Sequence, residues 1–228
     1  MEQIDLDERI RTLLEEQRLH DARLRGASKM FLRLAHPKTL GRLDFRREHL
    51  EGAYLRDADL RGVNLYGAYL EGAYLRDANL KRAYLRDAHL REANLREAKL
   101  EGADLKRANL TDANLSEANL EGADLSEANL EGANLEGANL SKADLRKADL
   151  EWANLKGAHL EGVDLRDANL ENAYLKRANL EGVDLRDAVF EPSNMLGMRI
   201  DDDKGNVYEC QRDGWYIVES KQSSDYLV

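Results

Sequence analysis

A leucine falls on almost every fifth position from Phe45 to Phe190. The series runs Leu50, Leu55, Leu60, Leu65 and onward through Leu120 to Leu185. From Leu55 onward a small apolar residue stands two positions before each member, as in Ala53, Ala58 and Val63. Residues 41–190 thus divide into thirty consecutive blocks of five, most reading Ala, then Asp, Asn or Tyr, then Leu and two variable residues. A period of five fits neither standard element. On an α-helix each such step advances about 140°, which spreads the leucines around every face. On a flat strand successive leucines point to opposite sides, because side chains alternate with period two. Only a backbone that turns a corner in every block sends each Leu and Ala to one interior. Of the 16 glycines, 11 stand two residues after an interior leucine, as Gly52 and Gly72 do. A turn requiring positive φ favours glycine there. Both prolines, Pro37 and Pro192, lie outside the array.

Blocks such as Ala118-Asn119-Leu120-Glu121-Gly122 resemble the pentapeptide repeat family, whose consensus is Ala-(Asp/Asn)-Leu-x-x. The resemblance covers about two thirds of the chain. It implies an all-β solenoid, a right-handed quadrilateral β-helix with four blocks per coil. Thirty blocks then make about 7.5 coils, and strands stacked about 4.8 Å apart give a rod of roughly 36 Å. Phe45, Leu50, Leu55, Leu60, Leu65, Leu120, Leu185 and Phe190, with Ala53 and Ala58, fill its interior. Stability in such an array is a sum over coils and their interfaces.

With twenty residues per coil, residues twenty apart stack, and the outside reads as columns. One column holds Asp104, Asp124, Asp144, Asp164 and Asp184; beside it runs Arg86, Lys106, Ser126, Arg146, Arg166 and Arg186. A further edge carries Glu131, Glu151, Glu171 and Glu191 above Glu51 and Glu71, and another carries Arg56, Arg76 and Arg96. Adjacent ladders of opposite sign make a solvated, self-neutralising face. Asn94, Asn114, Asn134 and Asn154 form an amide column able to hydrogen-bond along the pile. Tyr54, Tyr69, Tyr74 and Tyr84 replace Asp or Asn toward the N-terminal half. They are expected to stack on one another or to form a contact patch. Trp152 points outward between Gly132 and Asn172. Residues 111–140 hold seven acids and no base, an asymmetry that suits partner steering.

The ends differ from the array. In residues 1–40, Leu6, Ile10, Leu13 and Leu14 fall at helical spacing, with acids before them and arginines after, as the helix dipole favours. We expect an N-terminal helical cap, because a solenoid must cover its first coil. Residues 191–228 contain three β-rich runs near 198–200, 207–210 and 215–218, separated by turn chemistry, and are expected to form a β-meander cap. The Asp201-Asp202-Asp203 cluster does not match a calcium loop, which needs glycine one position later than Gly205.

Chemistry is sparse. Phosphate-loop, dinucleotide and nucleophile-elbow motifs are absent. The five histidines are scattered, and His49 and His89 share a column two coils apart, roughly 10 Å, too far to ligate one metal directly. Cys210 is the only cysteine. We expect no enzyme, no metal and no cofactor. The net charge of −10 argues against direct nucleic-acid binding, and no stretch has the apolar length of a membrane span. Met1-Glu2-Gln3-Ile4-Asp5 is unlike a signal peptide, so the expected location is cytoplasmic. The leading reading is a non-catalytic scaffold or protein–protein interaction module for an unidentified protein partner. It would be a monomer, or a dimer through an array end. The candidate surface is the Asp104–Asp184 column, the four tyrosines and Trp152. The alternative follows from the resemblance: quinolone-resistance members are DNA mimics that bind DNA gyrase, and the Asp column would imitate phosphates. Heavy admixture of arginine and the absence of loop insertions weigh against it.

Overall fold

The computed structural model describes residues 44–190 throughout, together with the backbone of residues 199–201, 206–211 and 214–220. The helical cap expected in residues 1–40 lies outside the described residues. From Asp44 to Val189 the backbone is a continuous parallel β-solenoid, in which each residue before a leucine bridges its equivalent twenty positions on. The coil is therefore four blocks, one on each of four sides. Four columns of bridges run the length of the array, starting at Asp44, His49, Tyr54 and Asp59.

One block shows why the sequence repeats as it does. Asp104 donates its N–H to Ala83 in the coil below, at 3.0 Å, whereas Leu105 and Arg107 donate to Asp124 and Ser126 in the coil above, at 2.7 and 3.0 Å. Ala108 closes the corner with a 2.9 Å bond to the Leu105 carbonyl. Only Lys106 N–H then lacks a backbone acceptor, and the Asp104 side chain supplies one, Oδ1 at 3.2 Å. All five donors are satisfied, as a buried backbone requires. The Asp or Asn before leucine is thus a corner acceptor, an Asx turn repeated along the rod. Asn94, Asn114, Asn134 and Asn154 all act this way toward Arg96, Ser116, Glu136 and Lys156. The amide ladder expected between them is bonded only at Asn154 to Asn134, 3.2 Å.

The residue two after each leucine has a left-handed φ at every corner from Arg47 to Asp187, glycine or not. This third-position sign is that of a type II turn. Leu60 through Leu175, with the alanines and valines from Val63 to Ala173, are at most 2 % exposed, in one unbroken core. Each such leucine contributes about 1.5–3 kcal/mol through burial. Phe45, Leu50, Leu55, Ala53 and Ala58 are buried in the first coils, and Leu65 and Leu120 lie deep in the stack. Leu185 and Phe190 pack on the core but stay half-buried, because they belong to the last coil.

Beyond the array, β1 (Arg199–Asp201), β2 (Asn206–Gln211) and β3 (Gly214–Ser220) form an antiparallel sheet in the order β1-β2-β3. Ile200 pairs with Tyr208 and Cys210 with Trp215. The three β runs read from the sequence are these strands.

Candidate functional site

The interior is closed, so chemistry must lie on the corners and faces. The Asp column exists as a parallel ladder from Asp104 to Asp184. Its carboxylates are not free. Arg146 donates its backbone N–H, Nε and Nη2 to Asp144, and Arg166 and Arg186 hold Asp164 and Asp184 through the same three groups. Each arginine also reaches toward the next coil: Arg146 Nε lies 3.6 Å from Asp164, and Arg166 Nε 3.6 Å from Asp184. The arginine beside each of Asp144, Asp164 and Asp184 lowers its carboxyl below the usual range, and Asp144 in turn raises Arg146. Lower in the column, Asp124 accepts the Ser126 hydroxyl at 2.6 Å and Asp104 accepts Lys106 N–H. A surface depression of about 220 Å³ lies at this corner, bounded by Lys106, Ser126, Glu127, Arg146, Lys147, Arg166 and Asp167. Ser126 is buried at its floor, a short side chain in a file of long cations.

The tyrosines do not form one patch. Tyr54 and Tyr74 stack face to face on one side, centroids 4.8 Å apart. Tyr69 lies on the preceding side, sandwiched between His49 and His89 at 4.6 and 4.7 Å. Tyr84 follows Asn64 in the column that becomes the Asp ladder. Block order alone separates them, because consecutive blocks occupy different sides. Tyr54, Tyr74 and Tyr84 are exposed, Tyr69 only partly so. The arginine ladder Arg56, Arg76, Arg96 is laced into acids: Arg76 reaches Asp77 at 3.2 Å and Glu97 at 3.0 Å, and Arg96 reaches Glu97 and Glu117, both at 3.0 Å.

Trp152 is 61 % exposed. Its backbone is left-handed, φ 60°, where the residue below it is Gly132. The indole Nε1–H donates to Glu151 Oε1 at 3.0 Å. Tyr174, exposed on the adjoining side one coil later, was not among the residues singled out from sequence. The signal for it was present, because it too replaces an Asn in the corner-acceptor column. Among the described residues no group of three or more His, Cys, Asp or Glu is placed to hold a metal, and no helix is long and apolar enough to cross a membrane.

The family model for pentapeptide repeats matches residues 40–77, 73–112, 113–151 and 153–191. Among curated proteins none matches. Solved structures similar to the chain include HetL, a pentapeptide repeat protein involved in heterocyst differentiation regulation from the cyanobacterium Nostoc sp. strain PCC 7120. It is 37% identical, with 72% of this chain and 78% of that one covered and a TM-score of 0.36. A pentapeptide repeat protein from the Arabidopsis thaliana thylakoid lumen is 31% identical over 48% of this chain and 79% of its own, TM-score 0.41. Trypsin-treated QnrB1, a plasmid-mediated fluoroquinolone resistance protein, is 22% identical over 64% and 85%, TM-score 0.40.

Proposed function

Because the chain belongs to the pentapeptide repeat family, we propose that it is a non-catalytic interaction module, a rigid rod whose outward columns engage another protein. The observation that carries this reading is the division of labour in each block. Leu and Ala are spent on a solid interior, and aromatic side chains interrupt the outward columns and stay exposed, as Tyr54, Tyr74, Tyr84 and Trp152 do. Tyr is enriched at protein interfaces, and a solid core has no room for a substrate. The family's right-handed winding, caps formed by residues 1–40 and 191–228, and a cytoplasmic location belong to the same proposal. Affinity capture from the source cell, identified by mass spectrometry, tests it. A partner retained by the native chain and lost on substitution of exposed aromatics supports the module; recovery of no specific partner overturns it.

The gyrase-directed alternative draws on the acidic balance and the Asp ladder. The arginines on Asp144, Asp164 and Asp184 work against it, since a phosphate mimic needs unneutralised charge. Purified chain in a gyrase supercoiling assay decides: no inhibition and no drug protection at micromolar protein removes this alternative.

A further inference from the structure

We propose that the corner carrying Trp152, with the two sides that flank it, docks an arginine-bearing basic segment of a protein partner. This rests on the interaction-module reading and names the surface and the partner's chemistry. Over residues 109–174 the corner residues are Thr111, Asp112, Glu131, Gly132, Glu151, Trp152, Glu171 and Asn172. The flanking columns are Asn109, Asn129, Asp149, Asn169 on one side and Asn114, Asn134, Asn154, Tyr174 on the other. Not one of these is a cation. Two exposed aromatics, Trp152 and Tyr174, stand in this strip.

On other corners cations are interspersed, and many acids there are paired. Asp144 has Arg146, Glu97 has Arg76 and Arg96, Glu136 has Lys156. Along this corner Asp112, Glu131, Glu151 and Glu171, with Asp149 beside them, make no ion pair among the described residues. Like charges stacked at strand spacing repel one another, and an incoming cation relieves that repulsion. The missing cations thus define what complements the strip. Trp152 adds selectivity. A guanidinium stacks on an indole face better than an ammonium does, and weak hydration makes its transfer to an interface easier. Glu151 fixes the indole by its Nε1–H bond and puts a carboxylate at its edge, so an arginine over the ring meets π-face and anion together. Gly132 leaves no side chain beneath the indole in the corner file. A bulky residue at left-handed φ is a departure the turn itself does not require, since glycine serves the same corner below.

The test uses the full chain and labelled hexa-arginine and hexalysine peptides, read by fluorescence anisotropy. Trp152→Gly changes no charge, so the general attraction of an acidic chain for cations survives it. The native chain should prefer hexa-arginine, and Trp152→Gly should weaken hexa-arginine about threefold to fivefold and bring the two peptides level. The same variant should melt no lower than the native chain, which separates lost contact from lost fold. Glu131→Gln with Glu171→Gln should weaken both peptides and flatten the salt dependence. Unchanged hexa-arginine affinity in Trp152→Gly overturns the docking face. An empty source-cell capture with the native chain overturns the module reading instead, so the two failures are distinguishable.

Discussion

Asp164 and Arg166, two residues apart, are joined three times. The Arg166 backbone N–H donates to Oδ1 at 3.2 Å, Nε to Oδ1 at 2.9 Å and Nη2 to Oδ2 at 2.6 Å. One carboxylate thus closes a corner of the backbone and holds the cation that covers it. Asp164→Asn keeps the corner acceptor and loses the ion pair, and should cost less than about 1 kcal/mol. Asp164→Ala loses both and should cost roughly 1 kcal/mol more, the value of an Asx-type bond. Urea denaturation of the two variants separates the contributions; equal losses would mean that the corner bond contributes nothing.

Acid should weaken the upper coils. The arginines hold Asp144, Asp164 and Asp184 below their ordinary carboxyl values, so the folded chain binds protons less readily there than the unfolded chain. The resulting stability is fully present above the unfolded value of about 4 and is lost as pH falls through the folded values. Melting temperature against pH should drop below about pH 4, and the drop should be shallower in Asp164→Asn. A native curve that is flat from pH 5 to pH 2 would contradict this.

Corner backbone predicts substitutions of opposite sign. Arg82 has φ 55°, and its side chain makes no hydrogen bond or ion pair among the described residues, so Arg82→Gly should raise stability by about 0.5–1 kcal/mol, left-handed strain relieved less the glycine's entropy. Gly132→Ala should lower it by about 1–2 kcal/mol. There φ is 66°, and a Cβ would stand 2.6 Å from Asp112 Oδ1. Calorimetry on the pair checks both signs at once.

Interior truncation should depend on height in the stack. Leu125 is fully buried with coils above and below, so Leu125→Ala should cost about 2–5 kcal/mol. Leu185, half-buried in the last coil, should cost clearly less when changed to Ala. Equal losses would show that the last coil is packed as firmly as the middle.

The coil length, the buried leucines and the columns were legible in the sequence because a strict period leaves a single geometry. The role of Asp and Asn was not. Read as charge or as stacked amides, Asn134 and Asp164 look like surface ornament. Only the backbone shows that one N–H per block, such as Glu136 N–H, has nowhere else to go. Likewise block order puts Tyr69 and Tyr74 on different sides, and Trp152 could be located on its corner, but the stacking of Tyr69 between two histidines and the exposure of Trp152 could not be read. Those depend on side-chain direction, which a repeat does not encode.

The hydrogen bonds between coils also give the rod a direction. The upper edge of each block offers two donors and one acceptor, as Leu105 N–H, Arg107 N–H and the Ala103 carbonyl do, and the lower edge offers the reverse. Two upper edges brought together by a two-fold axis would leave donors in excess of acceptors. Coil edges are therefore fully complementary head to tail, an arrangement that propagates without closing. A symmetric pair formed at an end of the array would leave some of these donors without backbone acceptors, for side chains or terminal segments to satisfy. An uncovered edge, by contrast, is a template for the next copy, and whatever ends the stack also keeps it from becoming a fibre.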